Sequence, residues 1–178
     1  CIRDRFDNAI TDFTPIERII KLDRNQPEFT QTLDHYLAKR VTNEKIATAR
    51  ELLKKHKVVL SQISKYYEVQ PRFIVSLWGL ETNFGSYLGK YVVPHALATL
   101  AYDGRRGAFF RKELLNALQI LDEGHISLGD MKGGWAGAFG QAQFLPSSFL
   151  NYAQDWDKDG RKDVWTNEQD VFASIAFY

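Results

Sequence analysis

With 178 residues, 44% of them hydrophobic and 13% aromatic, the chain can bury a substantial core in one domain, or in one domain with a helical extension. Its 23 Lys and Arg against 22 Asp and Glu leave a formal charge of +1, so no global field argues for nucleic acid or an anionic membrane, and any charge logic must be local. The single cysteine, Cys1, excludes an internal disulfide, and no apolar run approaches the ~20 residues that span a bilayer.

In chain order, Ile16, Ile19, Ile20 and Leu22 mark a short apolar-periodic piece, followed by the turn signal Asn25-Gln26-Pro27. Phe29, Leu33, Tyr36 and Leu37 share one helical face that ends near Lys39-Arg40. Thr42 is placed to cap one long helix carrying Ile46, Ala49, Leu53, Leu60, Ile63 and Tyr67. Its Lys54-Lys55-His56-Lys57 middle reads as a solvated face. Pro71 opens a short helix through Thr82, closed by Asn83 or Gly85. Another Pro-led helix starts at Pro94 and stops at Asp103-Gly104, and Phe110, Leu114, Leu118 and Leu121 define the next, closed by Gly124. Strand-like alternation of any length is missing, so the fold class is mainly α, with no internal repeat.

Three stretches carry chemistry. The first is Trp78 to Gly85, which sets Glu81 at the end of an apolar helix on one face with Ile74, Leu77 and Trp78. Partial burial there and the negative end of the helix dipole both disfavour the ionised carboxylate, and a carboxylic acid still protonated near neutral pH is what glycosidic cleavage asks of a general acid. From position alone, a solvated Glu near a helix end is an equally good reading.

The second is the glycine-rich run Lys132 to Ser148, where Trp135, Phe139, Gln141, Gln143 and Phe144 are suited to stack on sugar faces and to hydrogen-bond hydroxyl or acetamido groups. The equal alternative is a tight core loop whose glycines serve packing. The third is Asp155 to Trp165, with carboxylates at loop positions one, three, five and nine and Gly160 at six, where alternate oxygens wrap a hard cation. Position seven, Arg161, contributes its carbonyl. Position twelve is Thr166 rather than a bidentate Glu, so the closing ligand comes from Asp170 or Glu168. A calcium ion is favoured over a metal-free acidic turn. No nucleotide, haem or zinc signature is present, and His35, His56, His95 and His125 are scattered.

Together, WGLETNFG, the Arg105-Arg106 pair after Ala-Tyr-Asp-Gly, KGGWAGAFGQAQFLPSSF and DWDKDGRKDVW resemble the membrane-bound lytic murein transglycosylase B family, in order and spacing, from about Gln26 to the end. The resemblance implies a lysozyme-like, mainly helical catalytic core over 69–178, behind an N-terminal helical region over 1–68 and with an EF-hand-like calcium loop. It implies cleavage, without water, of the β-1,4 bond between N-acetylmuramic acid and N-acetylglucosamine in peptidoglycan. Glu81 would first protonate the leaving oxygen and then, as carboxylate, help the muramoyl C6 hydroxyl attack C1, giving a 1,6-anhydro sugar. The substrate acetamido group would replace the second carboxylate of ordinary glycosidases.

By position, Arg105 and Arg106 correspond to arginines near the substrate peptide or sugar, Gln143 and Phe144 to cleft residues, and Tyr36 to an aromatic wall. Asp155, Asp157, Asp159, the Arg161 carbonyl and Asp170 correspond to the calcium ligands. Gly134 stands where the family often has a serine. The family usually continues past Tyr178 through helices that complete the cleft, so the chain reads as truncated at its C-terminus. A periplasmic monomer acting on peptidoglycan strands, with no nucleic-acid partner, is expected. Cys1 would tether it to the outer membrane if it is the acylated residue of a lipoprotein, although a plain chain boundary is the preferred reading there. The alternatives are a lysozyme-type hydrolase and a non-catalytic peptidoglycan-binding or calcium-sensing module.

Overall fold

In the structure, a computed structural model that describes residues 10–11, 13–25 and 32–178, the chain is arranged around the helix that carries Glu81 in its last turn. The expectations at Gln26, Pro27, Phe29 and Cys1 lie outside the described residues. Gln70 enters extended and Pro71 needs no backbone partner, so the chain winds into a helix over Pro71–Thr82. Among the described residues the named helices that precede it are α1 (Glu17–Arg24), α2 (Leu33–Arg40), α3 (Asn43–Lys55) and α4 (Lys57–Tyr67). The central helix is α5, followed by α6 (Val93–Asp103), α7 (Gly107–Asp122), α8 (Pro146–Tyr152) and α9 (Glu168–Phe177). Among the described residues the only sheet is one antiparallel pair, β1 (Tyr91–Val92) with β2 (Lys132–Gly133). The mainly helical class expected from the sequence is the one observed.

Thr42 caps α3 as expected, its hydroxyl accepting from the Lys45 N–H at 3.2 Å, and Thr32 caps α2 in the same way. The single long helix expected beyond Thr42 is instead two, broken at His56 (φ −96, ψ 17). Periodicity could not show the reason: the His56 ring is drawn inward, edge-on to Phe172 at 5.2 Å and to Trp78 at 6.1 Å. Lys54, Lys55 and Lys57 on either side stay exposed. The core gathers Trp78, Phe110, Phe139, Phe149 and Phe172, all at 2% exposure or less, with Ile63, Ile74, Leu97 and Leu118. Around it α6 packs on α7, α7 on α8, and both α4 and α5 on α9, so helices about 100 residues apart in sequence share one interior.

The first helix closes onto this body through charge. Ile19 is buried against α6, and the Asp23 side chain, 1% exposed, accepts from Arg105 Nε and from Arg106 Nη2, each at 2.5 Å. Arg105 Nη2 also donates to the Asp23 carbonyl at 2.7 Å, and Arg24 pairs with Asp103 at 2.6 Å. The Arg105 guanidinium bonded to Asp23 holds this carboxyl below the usual carboxylate range against the opposing cost of burial, with Arg106 adding to the effect. The turn between α6 and α7 is thereby tied to α1.

Candidate active site

Helix α5 cannot continue past Thr82, because Asn83 (φ 51), Phe84 (φ 59) and Gly85 (φ 78) follow one another in the left-handed region. An aromatic side chain rarely sits at positive φ, and such strain persists only where the surroundings impose it. Here the Phe84 ring folds back onto its own helix, so closely that a Cβ on Gly79 would fall 2.6 Å from it. Glu81, in the final turn, thus stands at the lip of a cleft.

That cleft is a cavity of about 250 Å³ lined by Leu77, Glu81, Gln143, Phe144, Ser148 and Tyr178, with Ala142, Leu145 and Ile175. Its walls are largely apolar. Desolvation by them raises the Glu81 pKa above the ordinary glutamate value, and the charge of Arg40 partly opposes the rise. The side chain is nevertheless open to solvent on the cleft side. The sequence correctly assigned a weakened acid but misassigned two of its three neighbours. Ile74 and Trp78 point into the core, and of the expected trio only Leu77, 43% exposed, lines the cavity.

Behind Glu81 lies a buried polar network centred on Gln141. Its Oε1 accepts from the Trp78 indole N–H at 2.7 Å and its Nε2 donates to the Trp165 carbonyl at 2.9 Å. Its backbone N–H reaches the Val164 carbonyl at 2.8 Å, and its own carbonyl accepts from the Thr82 hydroxyl at 3.0 Å. Thr82 Oγ1 in turn accepts from the Gly85 N–H at 3.0 Å. The end of α5 and the left-handed turn are therefore pinned to the segment before α9. Gln141, 8% exposed, is a structural hub rather than the sugar-facing amide its composition suggested, and Phe139 is likewise interior, stacked on Trp165 at 5.1 Å.

The residues of the glycine-rich run divide between close packing and the lining of the cavity. Gly133, Gly137 (φ 87) and Gly140 (φ 68) serve close packing, since a Cβ on Gly137 would fall 2.3 Å from Leu97 and one on Gly133 would fall 2.2 Å from the Ala138 carbonyl. Gln143 (φ 48) and Phe144 instead turn to the cavity, as the sequence placed them. Ser148, which nothing in the pattern singled out, arrives there because the buried Glu113 carboxylate accepts from the Ser147 N–H at 2.9 Å at the start of α8. Tyr178, with no signal at all in the sequence, lies over Phe144 at 5.5 Å.

Three predicted contact residues are not brought to this cavity. Arg105 and Arg106 are engaged by Asp23, and the clamp described above was invisible as long as Asp23 was one acid among 22. Tyr36 is exposed on α2, its ring 5.5 Å beneath the Arg40 guanidinium.

In the acidic loop, Asp155, Asp157 and Asp170 bring ligand oxygens within 4.8 Å of one another. Asp170, fully buried on α9, accepts from Trp156 N–H at 2.7 Å and Asp163 N–H at 2.8 Å. Burial above all, and then the neighbouring Asp157 and Asp155 charges, push its pKa up to about 6 against those two bonds. Three crowded carboxylates, one of them buried, suit a hard divalent cation. Asp159 is outside the trio, accepting from the Arg161 N–H at 2.8 Å, while Glu168 faces His56 at 3.5 Å, so that Asp170 rather than Glu168 stands beside Asp155 and Asp157.

Comparison with known proteins finds relatives over nearly the whole of this chain. The membrane-bound lytic murein transglycosylase B of Escherichia coli (strain K12) is 28% identical over 186 residues, which cover 99% of this chain and 51% of that protein. Among solved structures, SltB3 from Pseudomonas aeruginosa, crystallised with NAG-NAM-pentapeptide, superposes with a TM-score of 0.94 at 39% identity, over 98% of this chain and 47% of that one. The Escherichia coli lytic transglycosylase Slt35, solved in complex with calcium, gives 0.84 at 26% identity, over 99% and 61%. The chain thus spans about half the length of the first two relatives. The family described as the transglycosylase SLT domain matches residues 2–178, essentially the whole sequence, and the chain belongs to that family.

Proposed function

We propose that this chain is the catalytic part of a lytic transglycosylase that cleaves the β-1,4 bond between N-acetylmuramic acid and N-acetylglucosamine in peptidoglycan. The observation that carries the reading is the Glu81 carboxyl, its pKa raised by apolar walls, in one cavity with an amide, Gln143, and an aromatic ring, Phe144. A raised pKa keeps the proton available for the leaving oxygen, and the same group, once ionised, serves as base toward the muramoyl C6 hydroxyl. Among the described residues no second carboxylate lines the cavity, which favours intramolecular attack and acetamido assistance over the two-carboxylate scheme. The region over 69–178 is proposed as the lysozyme-like core and that over 1–68 as its helical extension. Arg105 and Arg106, held by Asp23, would act on substrate through their remaining exposed N–H groups, and Tyr36 would form the outer wall of the groove.

Calcium is proposed as a structural ion of the acidic loop, held by Asp155, Asp157 and Asp170, with Asp159 and the Arg161 carbonyl turning inward to complete the shell. When bound it would neutralise a cluster that is otherwise self-repelling. A periplasmic monomer is the proposed setting; no helix among the described residues is long and apolar enough to cross a membrane.

The test is digestion of purified peptidoglycan with wild type and Glu81→Gln, the muropeptides being read by mass spectrometry. The expected products are 1,6-anhydromuramoyl ends, lost in the variant. Reducing ends would instead identify a hydrolase, and strand binding without cleavage by wild type would identify a binding module.

A further inference from the structure

The lysines around the break at His56 belong to neither the Glu81 cavity nor the acidic loop. Helices α3 and α4 carry Lys45, Arg50, Lys54, Lys55, Lys57 and Lys65 against only Glu44 and Glu51, a local charge of +4 on a chain whose total is +1. Among the described residues none of these six cations is in an ion pair. The His56 ring turns inward to Phe172 and Trp78, and its neighbours Lys54, Lys55, Lys57 and Val58 are exposed at the corner between the two helices. The face continues along α4, which holds no acid. Lys57, Ser61 and Lys65 make one exposed row at i, i+4 and i+8, and Val58, Gln62 and Tyr66 make the row beside it, with Leu60 and Ile63 buried on the opposite side. Val58 is 74% exposed and Tyr66 71%, although the Tyr66 ring meets Tyr67 and Trp156 edge-on.

Folding does not account for this arrangement. Lys54 and Lys55 suit the negative end of α3, but Lys57 stands at the positive end of α4, which has neither an acid in its first turn nor a side-chain cap. Val58, left in water, contributes little burial. A row of cations beside a row that carries an aliphatic and an aromatic group is instead the pattern of an interfacial helix, in which the charges meet anionic headgroups and the apolar groups enter the boundary beneath them. We propose that the α3–α4 face docks on an anionic phospholipid surface, with Lys54, Lys55, Lys57 and Lys65 on headgroup phosphates and Val58 and Tyr66 dipping into the interface. A soluble polyanion would answer the cations and leave Val58 in water. The nearly neutral total charge does not oppose docking, because at ~0.1 M salt a field is felt only within about 10 Å of the charges that make it. The face shares no residue with the Glu81 cavity, so the proposal stands apart from the transglycosylase reading.

The experiment is co-sedimentation of the whole chain with vesicles of phosphatidylcholine alone and of equimolar phosphatidylcholine and phosphatidylglycerol, at rising salt. Wild type is expected on the anionic vesicles only, and to be released as salt shortens the screening length from ~10 Å at 0.1 M to ~3 Å at 1 M. The triple variant Lys54→Gln, Lys55→Gln, Lys57→Gln is expected to bind about 100-fold more weakly, each charge being worth about a factor of five. A matched triple variant, Arg111→Gln, Lys112→Gln, Lys132→Gln, changes the net charge equally at exposed positions on other elements and is expected to bind as wild type. Val58→Ser is expected to loosen binding with its salt dependence unchanged. Melting curves confirm that each variant is folded. No affinity for the anionic vesicles overturns the proposal, and so do equal losses in the two triple variants, which would reduce the effect to net charge. Binding that falls in the lysine variant but ignores Val58→Ser also overturns it, in favour of a soluble polyanion as the partner.

Discussion

Replacing Gln141 by leucine tests whether the polar network behind Glu81 is what holds the end of α5. The side chain fits the space of the amide but removes both of its bonds. The Trp78 indole N–H, on a residue 2% exposed, loses its acceptor, and the Trp165 carbonyl, also buried, loses its donor. A buried group left without a partner costs about 1–3 kcal/mol, so two of them, partly offset by the better transfer of leucine, cost about 2–5 kcal/mol. For a chain of 178 residues that is a fall in Tm of roughly 5–20 °C, read by circular dichroism on heating. A cycle with Trp78→Phe sharpens the measurement, since removing the indole N–H also removes the orphan that Gln141→Leu creates. The double variant is expected to lose about 1–3 kcal/mol less than the sum of the singles. A Tm shift below about 2 °C, or strict additivity, would refute the reasoning.

Asp23→Asn is expected to destabilise the protein at neutral pH, with a pH signature that acid unfolding scans can read. The folded pKa of Asp23 is lowered, so its contribution is present above the unfolded carboxylate value of ~3.9 and is lost as pH falls through the folded one. The wild-type and Asp23→Asn stabilities converge there. Chelation is expected to lower Tm, by about 2.7 kcal/mol of stabilisation if calcium stood at 100 times its Kd, and Asp170→Asn should abolish the response. An unchanged Tm in chelator would mean that the trio of acids holds no ion. Gly134→Ser should fold as well as wild type, because the new Cβ meets nothing nearer than Ala138 O and Gln143 Oε1 at 3.7 Å, whereas Gly137→Ala must displace Leu97 from 2.3 Å and adopt φ 87. Equal Tm losses for these two substitutions would contradict the packing described for the glycine-rich run.

Local chemistry was legible in the sequence where it is written in neighbouring residues. Pro71, Pro94, Thr42 and Gly104 punctuate the helices where they were expected, because a missing N–H, a hydroxyl acceptor or a left-handed glycine acts within one turn. The placement of Glu81, Gln143 and Phe144 in one cavity was legible only through the resemblance of their motifs to one family, which implies a common cleft. Three-dimensional partners were not. Asp23 looked like any surface acid until Arg105 and Arg106 were folded onto it, and His56 looked solvated among lysines until its ring met Phe172. Gln141 and Gln143 are the same residue type two positions apart, and only burial tells the hub from the cleft residue. Helical periodicity ran through the break at His56 because both halves keep their apolar side inward.

The clamp on α1 also bears on the order in which the molecule assembles. Its contacts join residues 79 to 83 positions apart, whereas α6 and α7 are consecutive helices joined by a three-residue turn. Closing a chain segment of that length costs about 4 kcal/mol of loop entropy before any contact repays it. The α6–α7 hairpin can form from local contacts alone, and it presents both arginines at its turn. Helix α1 is then expected to dock as a latch onto a surface already built, which φ-values near zero at Asp23 and near one at Leu97 and Leu118 would check. In the native ensemble the same latch is the natural first point of opening, and amide exchange in α1 is expected to outpace exchange in α6 and α7.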